Sequence, residues 1–535
     1  MFSLTKKLKK ILKLSRNASF FKPKQQKLNY SKFIYFYSTT KYFVLLFLKP
    51  ISFHMEEYKE FFEDPANDLV KQLENKLHGG ESFYFDVEDY ELIIDHYLQE
   101  DDLEKCLLVL QSAMEQHPNT ISLSLRQVQF LISKNNTEKA LRILKEVEAI
   151  DPYNRDIYRT RGDIYSQLQF YHEAIKEYQK AIDDTEENLD EIYSNIAYEY
   201  ENLHNYDKAL EYLKKAIDFN PENETALFEL SFCAEMAEKP QVVVDYLLKY
   251  LDRFPYSKAG WFNLGLAHSS LLEHEKAIDA YDFVIAIDET FSTAYFNKGN
   301  ALATLERYDE ALKAYRETLA FESPEGLTYY YIGECYEKMN EPEKAEEYYR
   351  LAIDADPAAS DARVGLGCIL SERGRHTDAI SLFKEAIEQT PGDSETWYLL
   401  ADEYMETGEI EMAKDGYEKS LAFDVTNPDV WLDYSNAFAE ESNYDRAIEI
   451  LIKGYDSHKE SVDFKYRLFD YYLNNHLDDA AFSILAEALI QDFAALKQIF
   501  EYTPLLRDNE ALLDFIVSYR PEDFDFDAFI DETKD

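Results

Sequence analysis

From Val87 onward, apolar residues recur three or four positions apart in short runs, and breaks of a few polar residues separate one run from the next. That spacing places the apolar side chains on one stripe of an α-helix and predicts a chain of short amphipathic helices. Trp397, Leu400 and Tyr404 mark one such helix, Thr407-Gly408-Glu409 the break, and Ala413 and Tyr417 the helix after it. A longer period lies over this local one. Ala277, Ala311, Ala345, Ala379, Ala413 and Ala447 are each 34 residues apart, and the series extends to Ala481. Backwards it meets Val243 and Ala209, takes one extra residue in the 183–190 loop, and continues through Ala174, Ala140 and Cys106.

Two further positions keep the same register. Twelve residues before these sites stand small residues such as Gly162, Ala197, Gly265, Gly299, Gly333, Gly367 and Ala401. Four residues after them come large ones, among them Tyr178, Leu213, Tyr281, Tyr315, Tyr349, Phe383 and Tyr417. Small residues suit the places where two helix axes approach, and large ones fill the grooves beside them. Pro118, Pro152, Pro221, Pro255, Pro357 and Pro391 close many units, because proline lacks a donor and disfavours helix in the residue before it. A helix pair this short cannot bury its own apolar face, so each unit must stack on the next.

The pattern resembles the tetratricopeptide repeat family. The family's small-residue, alanine, aromatic and closing-proline sites match Gly367, Ala379, Phe383 and Pro391 in the unit starting at Ser360. Twelve consecutive units fit between residues 87 and 495, with departures at Phe469, Val243 and Tyr250 that predict irregular packing in their units. The resemblance implies an all-α fold, a right-handed α-solenoid superhelix of antiparallel helix pairs whose first helices line a concave face, and a role in binding proteins or peptides. Residues 55–86 supply an N-terminal capping helix, read over 56–78 and stopped by Gly79-Gly80. Residues 496–519 supply a closing helix broken near Pro504, and 520–535 an acidic tail carrying Phe524, Phe526 and Phe529.

Charge narrows the partners. The chain has 56 basic and 104 acidic side chains, a formal balance of −48. Nucleic-acid binders need a basic footprint to displace counterions, which excludes that class here. Residues 1–54 are the exception, with twelve Lys and Arg and no acid. The composition changes abruptly at Met55, and the expectation is that Met55 is the true start and that 1–54 is translated upstream sequence or disordered. The alternative uses the apolar run Phe43 to Leu48, within 33–53, as a membrane anchor or targeting segment, although that run is short of the roughly 20 apolar residues a spanning helix needs. A cytoplasmic location follows from the first reading and a membrane-anchored one from the second.

No catalytic, cofactor or metal chemistry emerges. No Gly-Lys-Ser/Thr phosphate loop occurs, and Gly365-Leu-Gly367 sits within a helix, where close packing explains it. His172-Glu173 and His274-Glu275 lack the second histidine of a zinc-protease motif. Asp523, Asp525 and Asp527 resemble the start of a calcium loop, but Ala528 replaces the turn glycine and Lys534 the bidentate Glu. The four cysteines, Cys106, Cys233, Cys335 and Cys368, read as small buried hydrophobes. The chain is therefore expected to be no enzyme and to use no cofactor and no small-molecule substrate.

The resemblance also places a binding face. The fifth residue of each unit points to the concave side in this family, which selects Phe228, Phe262, Phe296, Tyr330 and Tyr398, with Asn263 and Asn297 beside two of them and Asn195 in an earlier unit. Glu334 and Asp402 lie around them. An acidic rim around aromatic rings favours a basic or apolar peptide or protein segment. The family's chaperone-binding branch clamps a C-terminal carboxylate with bases, yet only Arg159 and Lys338 stand at comparable positions, so that mode is not expected. The plainer alternative for the aromatics is packing between neighbouring first helices. Two other roles stay open: a membrane-tethered assembly or secretion factor, and a non-catalytic adaptor subunit of an enzyme complex.

Overall fold

The computed structural model describes residues 65–79, 84–182, 188–321, 326–496 and 510–521, and among them it contains 26 α-helices and no strand. The N-terminal extension 1–54, the proposed start at Met55 and the tail beyond 521 lie outside the described residues. Two compact units divide the chain at Lys239 and Pro240. Unit 1 holds a leading helix, Pro65–Gly79, then four helix pairs from Val87–Gln99 with Leu103–Gln116 to Leu189–Asn202 with Tyr206–Phe219, and finally Glu224–Met236. Unit 2 opens with Pro240–Arg253, continues through seven pairs from Lys258–Ser270 with His274–Ile287 to Asp463–Asn474 with Asp478–Gln491, and ends on Glu510–Val517. Each unit is an α-solenoid in which a helix packs on its partner and then on the next pair. The closing helix expected over 496–519 is thus a 3-10 turn at Ala494–Leu496 and the helix Glu510–Val517, with 497–509 outside the described residues.

The 34-residue register is the core. All ten alanines of the series, with Cys106 and Val243, have zero exposure. The glycines twelve positions earlier lie under the aromatic ring of the partner helix. A Cβ on Gly162 would meet Tyr178 Cε1 at 2.5 Å, and on Gly265, Gly299 and Gly367 it would meet Tyr281, Tyr315 and Phe383 at 2.4, 2.5 and 2.5 Å. Glycine is required there because the ring occupies the volume of any side chain. Gly365 faces Tyr349 in the same way, which accounts for the Gly365-Leu-Gly367 pair by packing.

The turn inside each pair repeats as faithfully, although no sequence signal announces it. Asp101, Asn135, Gln169, His204, Glu238, Leu272, Glu306, Asn340, Ser442 and His476 all have φ between 55° and 62°, and Gly374 and Gly408 hold the same place at 71° and 77°. The following N–H bonds back to a carbonyl five residues earlier, as in Glu273 to His268 and Arg307 to Leu302. This left-handed C-terminal cap usually calls for glycine, yet ten of the twelve positions carry a side chain. The residue after the cap often starts the second helix directly, with Asp102, Asn136, Asn205 and Asn443 accepting a backbone N–H three residues on.

The prolines tie one pair to the next. The indole N–H of Trp261 donates to the Pro255 carbonyl at 2.8 Å, that of Trp397 to Pro391 at 3.0 Å, and the Tyr158 hydroxyl to Pro152 at 2.9 Å. A ring six residues after the proline, in the first turn of the following helix, therefore satisfies a carbonyl that the turn leaves open.

Candidate peptide-binding face

The first helices of unit 2 carry most of the expected site, and they divide it into two kinds of residue. Phe262 and Phe296 are 1% and 7% exposed. Phe262 packs against Tyr281 and Phe291 with centroids at 5.9 and 5.3 Å, and Phe296 against Tyr315 and Tyr331 at 5.8 and 5.5 Å. Asn263 and Asn297 are also buried, and their amides donate to the carbonyls of Ala259 and Thr293 in their own helices, each at 2.8 Å. The expected asparagine ladder is thus turned inward: the two rings pack between helices, the two amides bond within their own, and none of the four stands open to a ligand.

Tyr330, Glu334, Tyr398 and Asp402 are different, each only partly buried. The second-helix tyrosines reach through the pair to meet such acids. Tyr417 donates to Asp402 Oδ1 at 2.6 Å and Tyr349 to Glu337 Oε2 at 2.6 Å, while Tyr398 itself donates to Asp433 Oδ2 at 2.8 Å. Burial pushes the Asp402 carboxyl up to about 7; Asp433 adds to the rise and the Tyr417 bond opposes it. Glu334, Asp361 and Asp433 are raised as well, with burial the largest cause in each. Lys338 faces Glu334 and Arg467 faces Asp433, too few bases to neutralise this set.

Unit 1 has its own version. Phe228 is half-buried on Glu224–Met236, and next to it Glu229 shares a hydrogen bond with Glu201. Burial raises both carboxyls, and the charge of Glu229 adds to the rise at Glu201 while the shared hydrogen bond opposes it at Glu229, so the pair holds a proton that isolated carboxyls would release. Asp163 receives the Tyr178 hydroxyl at 2.8 Å, and Arg159 is engaged by Glu191. Among the described residues, no group of three His, Cys, Asp or Glu side chains is placed to hold a metal ion.

Sequence profiles described as tetratricopeptide repeat match residues 156–183, 191–223, 262–326, 329–394 and 370–437. The chain belongs to the tetratricopeptide repeat family. Among solved structures, the APC/C hetero-tetramer Cut9–Hcn1 aligns at 12% identity and a TM-score of 0.38, covering 72% of this chain and 96% of that one. YrrB, described as a TPR protein with an unusual peptide-binding site, aligns at 25% identity and a TM-score of 0.29 over 34% and 93%. MamA aligns at 20% identity and 0.28 over 30% and 94%. A search of curated proteins finds no match.

Following the fifth residue of each tetratricopeptide repeat selects Tyr330 and Tyr398, which the structure leaves partly open, and passes over three partly buried acids. Glu229 and Asp433 occupy the sixth position, where Asn195, Asn263 and Asn297 stand in other repeats, and Asp361 is the second residue of its own. The sixth position was legible as polar; whether it faces a neighbouring helix or water depends on helix rotation, which periodicity does not resolve.

Proposed function

We propose that this protein is a non-catalytic scaffold that binds a basic or apolar segment of a partner protein along its first-helix faces, with Tyr330, Glu334, Tyr398 and Asp402 as contact residues in unit 2. The observation that carries this reading is the Tyr398–Asp433 and Tyr417–Asp402 network, in which partly exposed carboxylates are held in place by tyrosine hydroxyls. Ordered acceptors of this kind suit lysine and arginine side chains, and the rings beside them suit their aliphatic stems. Membrane tethering gains no support from the described residues, where no helix is long and apolar enough to cross a membrane. Affinity capture with the full chain, followed by mass spectrometry, tests the proposal when run beside two variants. Tyr330→Ala with Tyr398→Ala, and Glu334→Lys with Asp402→Lys, are each expected to lower recovery of the partner at least tenfold. Equal recovery by both variants sinks it.

A further inference from the structure

A second surface lies on unit 2, away from the residues just described. Trp261 stacks on Phe283 with centroids 4.2 Å apart and planes 17° from parallel, and in the next repeat Tyr295 stacks on Phe321 at 5.8 Å and 27°. The rings are not hidden: Phe283 is 51% exposed and Phe321 41%, with Ile287 beside them at 37%. The Trp261 indole is fixed by its bond to the Pro255 carbonyl, so it presents a set face. The two stacks adjoin, because Lys298, on the helix that carries Tyr295, bonds to Asp282, the neighbour of Phe283 in the preceding repeat.

Trp261 serves the fold through its bond to Pro255, but Phe283 and Phe321 are not required by the register. The register position of Phe283 is filled by Glu317, Leu351, Glu385 and Lys419 in other repeats, and that of Phe321 by Ile287, Ala355, Gln389 and Phe423, so neither position demands a ring. Exposed aromatic clusters that packing does not require mark interaction surfaces. The charges around this one that lack an ion-pair partner are of a single sign. Glu317, Glu289 and Asp282 surround the Tyr295 hydroxyl. The nearby bases are already engaged, Lys298 with Asp282 and Lys258 with Asp288 at 2.8 Å. Glu289 and Glu317 are exposed and have no basic partner among the described residues.

We propose that this patch is a docking surface for a cationic amphipathic helix of a partner protein, with leucine-type side chains on Phe283, Ile287 and Phe321 and arginines against Glu289, Glu317 and the ring faces. Arginine stacks on aromatic faces and pairs with carboxylates, which matches both halves of the patch. Trp261 and Tyr295 stand on first helices, but no residue of this patch is among the contacts proposed above.

The probe is a fluorescein-labelled synthetic helix with arginine on one face and leucine on the other, titrated into the full-length protein and followed by anisotropy. Saturable binding is expected, weakened more than tenfold by Phe283→Gln with Phe321→Gln and less than twofold by Glu388→Gln with Glu418→Gln, two exposed acids of other repeats. Glu289→Lys with Glu317→Lys, which leaves the rings in place, is also expected to weaken it more than tenfold, so the proposal stays testable if the aromatic variant loses helicity. No saturable binding to the wild-type protein overturns the proposal. So does wild-type affinity in the lysine variant, or an equal loss in the Glu388 and Glu418 variant.

Discussion

Gly299→Ala sets two opposed effects against each other, and the structure decides the sign. Gly299 lies inside the helix Ser292–Thr304, where alanine is intrinsically better by about 1 kcal/mol. A Cβ there would stand 2.5 Å from Tyr315 Cε1, 2.8 Å from Cδ1 and 3.0 Å from Cζ. Relaxed carbon contacts are about 3.5–4.0 Å, so the ring must withdraw by roughly 1 Å. It has little room to do so. Tyr315 is fully buried, Phe296 packs against it at 5.8 Å, Tyr331 stacks on it at 6.0 Å, and its hydroxyl donates to Asn300 Oδ1 at 2.7 Å. Overpacking costs about 1–3 kcal/mol, and disturbing the buried hydrogen bond adds about 1 kcal/mol. After the propensity gain is subtracted, the expected loss is about 1–3 kcal/mol.

Because a solenoid is held by nearest-neighbour interfaces, that loss should be local. Hydrogen–deuterium exchange read by mass spectrometry should show amides of 292–321 exchanging about 30-fold faster for a loss of about 2 kcal/mol, with 394–423 unchanged. Gly392→Ala is the control: it lies in a turn, and its Cβ would meet nothing nearer than Phe423 Cε1 at 3.9 Å. If Gly299→Ala exchanges as slowly as wild type over 292–321, ring-on-glycine contact does not set the helix spacing, and the packing argument for all five ring-covered glycines fails with it.

Three other outcomes are expected. Leu272 has φ 61° and is 69% exposed, so Leu272→Gly removes a left-handed side-chain penalty of about 1–2 kcal/mol against a glycine entropy cost of about 0.5–1 kcal/mol; a urea midpoint lower than wild type would refute this. Asp402 is raised from 3.8 to about 7 in the folded chain, so the folded state holds a proton that the unfolded one releases. Stability should therefore fall as pH rises through that window, and Asp402→Asn, which keeps an acceptor for Tyr417, should flatten the pH dependence of the denaturation midpoint and exceed wild type near about pH 8; an unchanged slope refutes it. Phe262→Ala with Phe296→Ala should cost about 3–5 kcal/mol at each site and unfold 258–321 before binding is measured, whereas a double variant with a wild-type melting curve would put those rings on an open wall.

What periodicity could see, and what it could not, follows from the physics of each residue. Ala379 and its equivalents were legible because a fully buried helix crossing tolerates only small side chains, and the same constraint recurs every 34 residues. Gly299 and Tyr315 were legible as small and large positions, but the reason glycine is needed, a ring lying on its Cα, appears only in three dimensions. The left-handed turn left almost no trace, since Leu272 and Gln169 serve there as well as Gly374 and Gly408. Their strain is outweighed by the packing on either side, so composition is free to vary.

The binding face shows the same boundary more sharply. Phe262 and Tyr330 hold the same repeat position, yet Phe262 is sealed by Tyr281 and Phe291 while Tyr330 stays partly open beside Glu334. What separates them is the neighbour contributed from elsewhere. Phe291, in the turn before the next first helix, closes over Phe262; in the 326 repeat the residue at the equivalent place is Ala359, too small to cover a ring. A single register position thus reports that a side chain faces inward from its helix, and the neighbour that the next repeat brings, Phe291 over Phe262 and Tyr331 over Phe296, decides whether it reaches water.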